Sequence, residues 1–417
     1  MTSDLLPVAE ARDRILAAMT AMPAETVPVS EALGRVTAQA ILARRTQPPV
    51  AVSAMDGYAV RAADVATVPA SLVRVGSAPA GGRYEGTLGP GEAVRIFTGG
   101  PVPDGADAIV IQEDVDADAE EDGAPISVRE SVKPGTYVRP AGLDFSTGNE
   151  GVAAGRCLTA RDVGLTAAMN VPWVSVRRRP RVAILSTGDE IVRPGELDDP
   201  SRIVSSNAYA LAAAVRAFGG EAIDLGIAPD DVNALKTLAS GARGADMLVT
   251  SGGASVGRHD LVQQALGDDA LGEDALQVGF WKIAMRPGKP LIFGHFSGVP
   301  MLGLPGNPVS TMVCATVFLK PALERMLGLD VDPEPLEDAV LATALTENDR
   351  RQDYLRATST RDSGGRRLVT PFGRQDSSMM ARLAAADCLI VRPPHDAPRM
   401  VGDKVSILSL SSGLLSL

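Results

Sequence analysis

Residues 247–260 read MLVTSGGASVGRHD. Three apolar residues look like the end of a strand. Thr250, Ser251, Gly252 and Gly253 follow, and beyond Ser255 and Gly257 the chain reaches His259 and Asp260. Side chains of these types share one chemistry. Glycine lets main-chain N–H groups approach an anion closely, serine hydroxyls donate to it, and a nearby carboxylate takes a metal ion or accepts a hydrogen bond. A tight strand-to-helix turn would need the same glycines for steric reasons alone, and the stretch lacks the lysine of a GxxxxGK[ST] phosphate loop. Three further stretches weigh toward chemistry. STGDE brings Thr187, Gly188, Asp189 and Glu190 to the end of a strand-like run. LPGNPVS sets Gly306 and Asn307 before a long helical run, where unpaired N–H groups attract anions. FWKIAMRPGKP concentrates Lys282, Arg286 and Lys289, including two of the chain's six lysines. Cationic and acidic loops around one edge suit an anionic ligand with a divalent cation such as Mg²⁺, which bridges carboxylates and phosphates.

The elements that would hold these loops are legible as alternating patterns. RVAILST, EAIDLG and ADMLVTSGG read as strands; SNAYALAAAVRAFGG, DDVNALKTLASGA and VSTMVCATVFLKPALERML read as helices. Alternation at this pitch implies a parallel sheet with right-handed crossovers, and ligands of such sheets bind beyond the carboxyl ends of the strands. Between about residues 70 and 140 the runs SLVRVG, EAVRIF, DAIVIQ, ISVRE and TYVRP alternate with Gly and Pro turns, which reads as a small β domain. Its acidic run EDVDADAEEDG (113–123) is a solvated hairpin loop in preference to a cation site. Residues 8–42 read as helical, with Ser30 as N-cap of EALGRVTAQAILA, and residues 157–171 as a short helix. Past Pro333, YLRATST, RRLVTPF, CLIVRPP and KVSILSL mark a C-terminal β domain.

Totals narrow the class. The 417 residues are 45% hydrophobic with a net charge of −11, a balance that disfavours nucleic acid and anionic membrane surfaces as partners. No apolar stretch is long enough to span a bilayer, and the charged N-terminus does not resemble a signal peptide. Cys157, Cys314, Cys388 and the three histidines are dispersed, which excludes a structural zinc site and fits a cytoplasmic protein without disulfides. Among these stretches only His259 offers an imidazole, read as a solvent-facing loop residue, and a covalent nucleophile is not expected.

Eight motifs in order resemble the molybdopterin molybdenumtransferase family of the MoeA type, which includes the E domain of gephyrin: SAMDGYAVR, FTGGPVPDGADAIV, VRPAGLDFSTG, STGDE, SNAYAL, TSGGASVG, FWKIAMRPGKP and LPGNPVS. The resemblance covers nearly the whole chain. It implies an elongated α/β plus β multidomain subunit. Residues 1–45 and 141–177 would form a helical linker and dimerisation domain, and 46–140 a small β domain. Residues 178–328 would form a parallel-sheet, molybdopterin-binding α/β domain, and 329–417 a C-terminal β barrel. It implies insertion of molybdate into adenylylated molybdopterin with release of AMP, dependent on Mg²⁺, in a cytoplasmic homodimer. The active site would be composite between subunits, with transient contacts to other enzymes of the pathway. Carried over by position, the family's functional residues fall on Asp56, Thr98, Asp144, Asp230, Lys282, Arg286 and Lys289. The ligand-binding positions are Thr187, Gly188, Ser251, Gly252, Gly253, Ser255, Gly306 and Asn307, with Arg356 and Ser377 of the barrel lining the oxyanion site. Glu190 and Asp260 are the implied Mg²⁺ ligands. Arg286 stands where the family often has lysine and is a wider, planar donor. Two other readings remain open: a scaffold that clusters partner proteins, and an enzyme that adenylylates the pterin. Tungstate could also replace molybdate.

Overall fold

The computed structural model describes residues 5–79, 81–117, 121–196, 199–252, 261–267, 275–332 and 334–410. They form two compact units, residues 1–39, 154–161 and 175–417 in one, and residues 40–153 and 162–174 in the other.

The larger unit is built on a six-stranded sheet in the order Glu221–Ala228, Arg181–Thr187, Met247–Ser251, Val299–Leu304, Ile292–Phe296, Gln277–Trp281. The first four strands are parallel and the last two antiparallel. The parallel sheet anticipated from the alternating pattern is therefore extended at one edge by an antiparallel meander. The parallel strands are apolar on both faces because both are covered. Val182, Ile184, Met247, Val249, Leu302 and Leu304 pack with Leu211, Val215 and Val309 on one side. Ala183, Leu185, Leu248 and Met301 pack with Leu235, Ala239, Val262 and Ala265 on the other. A helix begins at Pro308, opens into a wide π turn over Ala315–Leu319, and continues as Lys320–Met326.

The same unit carries a closed barrel. Strand Gln352–Arg361 pairs with Arg367–Pro371, and the pairing runs on through Leu336–Leu341, Lys404–Ser409 and Cys388–Arg392 back to Gln352–Arg361, a ring of five. Ala339, Leu341, Ala357, Val369, Ile390 and Ile407 fill it. The short strand Met285–Arg286 joins its side in parallel, with Met285 opposite Gln352 and Arg286 opposite Asp353.

The helical reading of residues 8–42 holds only for Val8–Ala17, whose Val8, Ala11 and Ile15 enter the main core. Ser30 does not cap a helix; it lies in the 3₁₀ turn Val29–Glu31. Gly34 takes φ +70°, and beyond it Val36 and Thr37 bridge to Cys157 and Val176 as extended chain. Their branched side chains suit that conformation better than a helix interior.

The smaller unit is a six-stranded sheet ordered Ala108–Ile111, Gly57–Val60, Glu92–Ile96, Ala70–Ala78, Pro125–Val128, Val115–Ala117. Tyr58, Val60, Leu72 and Val110 face one cluster, and Ala59, Val94, Ile96 and Ile109 the other. Of the acidic run, Val115–Ala117 is an edge strand antiparallel to Pro125–Val128, and residues 118–120 lie outside the described set. A second helix, Ala160–Ala168, matches the short one expected there.

Candidate active site

In the larger unit the small-residue loops meet at the carboxyl ends of the parallel strands. Thr187 and Ser251 end neighbouring strands, the register pairing Ser186 with Ser251. Gly252 follows with φ +95°, and a Cβ there would approach the Thr187 carbonyl oxygen to 2.6 Å. Only glycine fits that crossing. Gly306 lies against it, the place of its missing Cβ being 3.6 Å from the Gly252 Cα. Asn307 donates through its Nδ2 to the Ser377 Oγ at 3.0 Å, and the Val309 N–H donates to the Ser377 carbonyl at 3.0 Å. The loop of the α/β sheet is thus joined to the barrel segment that carries Ser377. Three buried hydroxyls at these strand ends, those of Ser186, Thr187 and Thr250, have no hydrogen-bond partner among the described residues. Unpaired buried hydroxyls are costly, so they mark where polar partners belong. Gly253, Ser255 and Asp260 lie outside the described residues.

The acids of the neighbouring loop are arranged differently from one another. Asp189 Oδ1 accepts the Asp230 N–H at 2.9 Å. Glu190 folds its carboxylate over Gly188, with Oε2 2.7 Å from where a Cβ would stand, and accepts no hydrogen bond among the described residues. Asp230 is exposed just before Asp231, which caps the helix Val232–Ala239. No cluster of three metal-ligating side chains occurs among the described residues. The set still fits Mg²⁺, which binds through one or two carboxylates with phosphate and water: Glu190 is unspent and the Thr187 hydroxyl is an unpaired hard oxygen.

The basic loop is anchored to the barrel. Arg286 forms ion pairs with Asp353 and, at 3.3 Å, with Asp349, and donates to Asn348 Oδ1 at 3.3 Å. Asp353 is almost completely buried; burial pushes its carboxyl above the ordinary carboxylate range, and Arg286 opposes that rise. Asp349 is held down to about 2, chiefly by its hydrogen bond from Arg351. Two carboxylates therefore already neutralise the Arg286 charge. Lys282 takes φ +74°, and its carbonyl accepts the Leu6 N–H. The Lys289 carbonyl accepts the Ile283 N–H, and the Lys289 ammonium makes no ion pair among the described residues. Arg356, expected at the oxyanion site, is buried in the barrel, donating from Nε to Gln375 Oε1 at 3.1 Å and from Nη1 to the Asp376 carbonyl at 2.7 Å. Burial lowers its pKa, with Asp376 opposing. The guanidinium fixes the segment that ends at Ser377.

In the smaller unit Asp56 and Thr98 form one device. Thr98 donates to Asp56 Oδ1 from its main-chain N–H at 2.7 Å and from its hydroxyl at 2.8 Å. Those two bonds, the main-chain one first, hold the Asp56 carboxyl below its ordinary value. Gly57 makes the strand beside it possible: a Cβ would stand 2.0 Å from the Val110 carbonyl oxygen. An open cleft of about 870 Å³ runs past Gly99, Val50, Arg139, Leu143 and Asp144, so Asp144 lines the same cleft as Gly99, the residue after Thr98.

Of the expected residues, Thr187, Ser251, Gly252, Gly306, Asn307 and Ser377 come together in the larger unit and Asp56 with Thr98 in the smaller one, while Arg286 and Arg356 are engaged within the barrel. The residue that reading by type and spacing passed over is Asn207. It opens the helix Asn207–Ala217, where asparagine suggests a cap, yet its carboxamide reaches the loops.

Comparison with known proteins is consistent along the whole chain. Residues 6–170 match the model of the MoeA N-terminal region (domain I and II), 183–325 that of a probable molybdopterin binding domain, and 338–410 that of the MoeA C-terminal region (domain IV). The chain is 36% identical over 392 residues to molybdopterin molybdenumtransferase 2 of Mycobacterium tuberculosis, covering 93% of this chain and 95% of that one. It is 36% identical over 395 residues to the molybdopterin molybdenumtransferase of Nostoc, covering 93% and 88%. The crystal structure of a molybdopterin biosynthesis MoeA protein from Pyrococcus horikosii superposes with a TM-score of 0.83 at 32% identity, covering 98% and 100%.

Proposed function

The chain belongs to the MoeA family of molybdopterin molybdenumtransferases, enzymes of molybdenum cofactor biosynthesis, and from that premise we propose that it transfers molybdate onto the dithiolene of adenylylated molybdopterin, with AMP as leaving group. The observation that carries the reading to these residues is the strand-end cradle of Ser251, Gly252 and Gly306, with unpaired buried hydroxyls beside it and the Ser377 segment bound to it. Such a surface presents donors and no fixed negative charge to an incoming phosphate or oxyanion. Lys282 and Lys289 offset the repulsion between the two anionic substrates, and catalysis proceeds by positioning and charge stabilisation. Asp56, with one oxygen engaged by Thr98, stays ionised at neutral pH and serves as an acceptor. When bound, Mg²⁺ would be held by Glu190 and Asp260 and would neutralise phosphate charge.

The protein acts in this reading as a homodimer. Each site draws Asp56, Thr98 and Asp144 from one subunit and the cradle, the basic loop and the Ser377 segment from the other. It works in the cytoplasm on small-molecule substrates, with transient contacts to other enzymes of the pathway. No helix among the described residues is long and apolar enough to cross a membrane. Incubation with adenylylated molybdopterin, Mg²⁺ and molybdate, following AMP, tests the assignment. AMP release that is equally fast without molybdate would refute coupling of the two steps.

A further inference from the structure

Asn207 spends its side chain on two acceptors. Its Nδ2 donates to the Ser251 Oγ at 2.9 Å and to the Gly306 carbonyl oxygen at 2.7 Å. A main-chain carbonyl can only accept, so the nitrogen of the carboxamide, and not its oxygen, must face both partners. Ser251 is then the acceptor in its bond with Asn207, and its own hydroxyl hydrogen is left to donate. No acceptor for that hydrogen occurs among the described residues, although Ser251 is only 3% exposed. Ser251 precedes Gly252, and the buried, unpartnered Thr187 hydroxyl lies 2.9 Å from where the Gly252 Cβ would be. Two buried hydroxyls with hydrogens to give therefore stand at neighbouring strand ends, next to a residue that carries no side chain.

From this we infer that Asn207 is a positioning residue. It holds Ser251 as an acceptor so that the serine hydrogen is left for a tetrahedral oxyanion bound at these strand ends. Resting on the function proposed above, that oxyanion is either the phosphate of molybdopterin or molybdate itself. The bond to Gly306 adds a second effect. It fixes the loop whose next residue, Asn307, bonds Ser377 from the barrel, so a single carboxamide sets two walls of the same site.

The test titrates molybdopterin and sodium molybdate separately into the full-length protein and its Asn207→Ala, Asn207→Asp, Ser251→Ala and Asn207→Ala/Ser251→Ala variants, with thermal midpoints measured unliganded. Asn207→Ala is expected to weaken one of the two ligands about tenfold, the scale of one hydrogen bond to a charged group. The double variant should be no weaker than the worse single one, because Asn207 acts through Ser251. Asn207→Asp keeps size and shape but accepts the serine hydrogen, adds like charge and sets an oxygen against the Gly306 carbonyl, so it should bind more weakly than Asn207→Ala and melt lower, with titrations run below both midpoints. A loss confined to the molybdopterin arm identifies the phosphate, and one confined to the molybdate arm identifies the metal oxyanion. Additive losses, or an unchanged affinity in Asn207→Ala while the unsubstituted protein binds, would overturn the inference and leave the proposed function standing. Failure of the unsubstituted protein to bind either ligand would overturn both.

Discussion

Replacing Arg286 by methionine keeps much of the side chain's apolar stem and removes the charge facing Asp353. The Asp353 side chain is 2% exposed and that of Arg286 is 45% exposed. Removing one partner of a fully buried pair costs about 3–5 kcal/mol. The guanidinium here is nearly half in water, so we expect about 2 kcal/mol, or a fall in the thermal midpoint of about 2–3 °C for a chain of this size. The sign of the pH dependence follows from Asp353, whose carboxyl is already raised by burial and rises further once Arg286 is gone. A raised carboxyl does not penalise folding below its unfolded pKa, near 4, and destabilises the fold increasingly as pH climbs through its folded value. The deficit of Arg286→Met should therefore be largest at pH 8 and shrink toward pH 5. Calorimetry of Arg286→Met, Arg286→Lys and Arg286→Met/Asp353→Asn across that range decides it. The lysine variant should lose less, and the double variant should recover most of the loss at pH 8. A deficit that is the same at both pH values, or a double variant no more stable than the single, would refute the ion-pair account. Molybdate affinity of Arg286→Met, measured alongside, should change little, since two carboxylates already occupy the guanidinium.

Thr98→Val removes the hydroxyl donor to Asp56, so the Asp56 carboxyl should titrate at higher pH, read by carboxyl NMR, and the acid limb of the activity profile should move the same way. Gly252→Ala should cost about 1–3 kcal/mol in backbone strain and abolish ligand binding, whereas Gly306→Ala, whose Cβ would meet the Gly252 Cα at an ordinary 3.6 Å, should leave the fold unstrained and weaken binding less; equilibrium titration compares the two. Mixing Asp56→Ala with Glu190→Ala subunits should restore activity to about a quarter of the unsubstituted protein if exchange is random, because a mixed dimer keeps one intact composite site. A mixture that exchanges subunits and stays inactive would place the whole site in one chain.

The parts of the fold that sequence made plain are those where local pattern and packing agree. Arg181–Thr187 is a strand over the same residues as its apolar run, because both of its faces are covered and nothing polar interrupts it. The antiparallel pair Gln277–Trp281 and Ile292–Phe296 was hidden, since FWKIAMRPGKP reads as a basic loop and only long-range pairing makes its flanks strands. Within the site, residue types announced the cradle, but not what each side chain spends its hydrogen bonds on. Arg286 read as an anion binder because nothing nearby in sequence neutralises it; its partners Asp349 and Asp353 are more than sixty residues away. Asn207 was missed for the converse reason: at a helix start, asparagine already has a local explanation.

The π turn at Ala315–Leu319 bears on how this helix tolerates change in length. A wide turn accommodates one residue more than an α-helix would over the same rise. Deleting one residue there would let the helix close into a regular α-helix with Asn307 still directed as before relative to the part anchored in the core by Ala322, Leu323 and Met326, whereas the same deletion in the regular turns Pro308–Cys314 would swing everything before it by about 100°. In that second case Asn307 would turn away from Ser377. A one-residue deletion in those regular turns would therefore act as a lesion of the active site while leaving every site residue in place in the sequence, and one at the π turn would not.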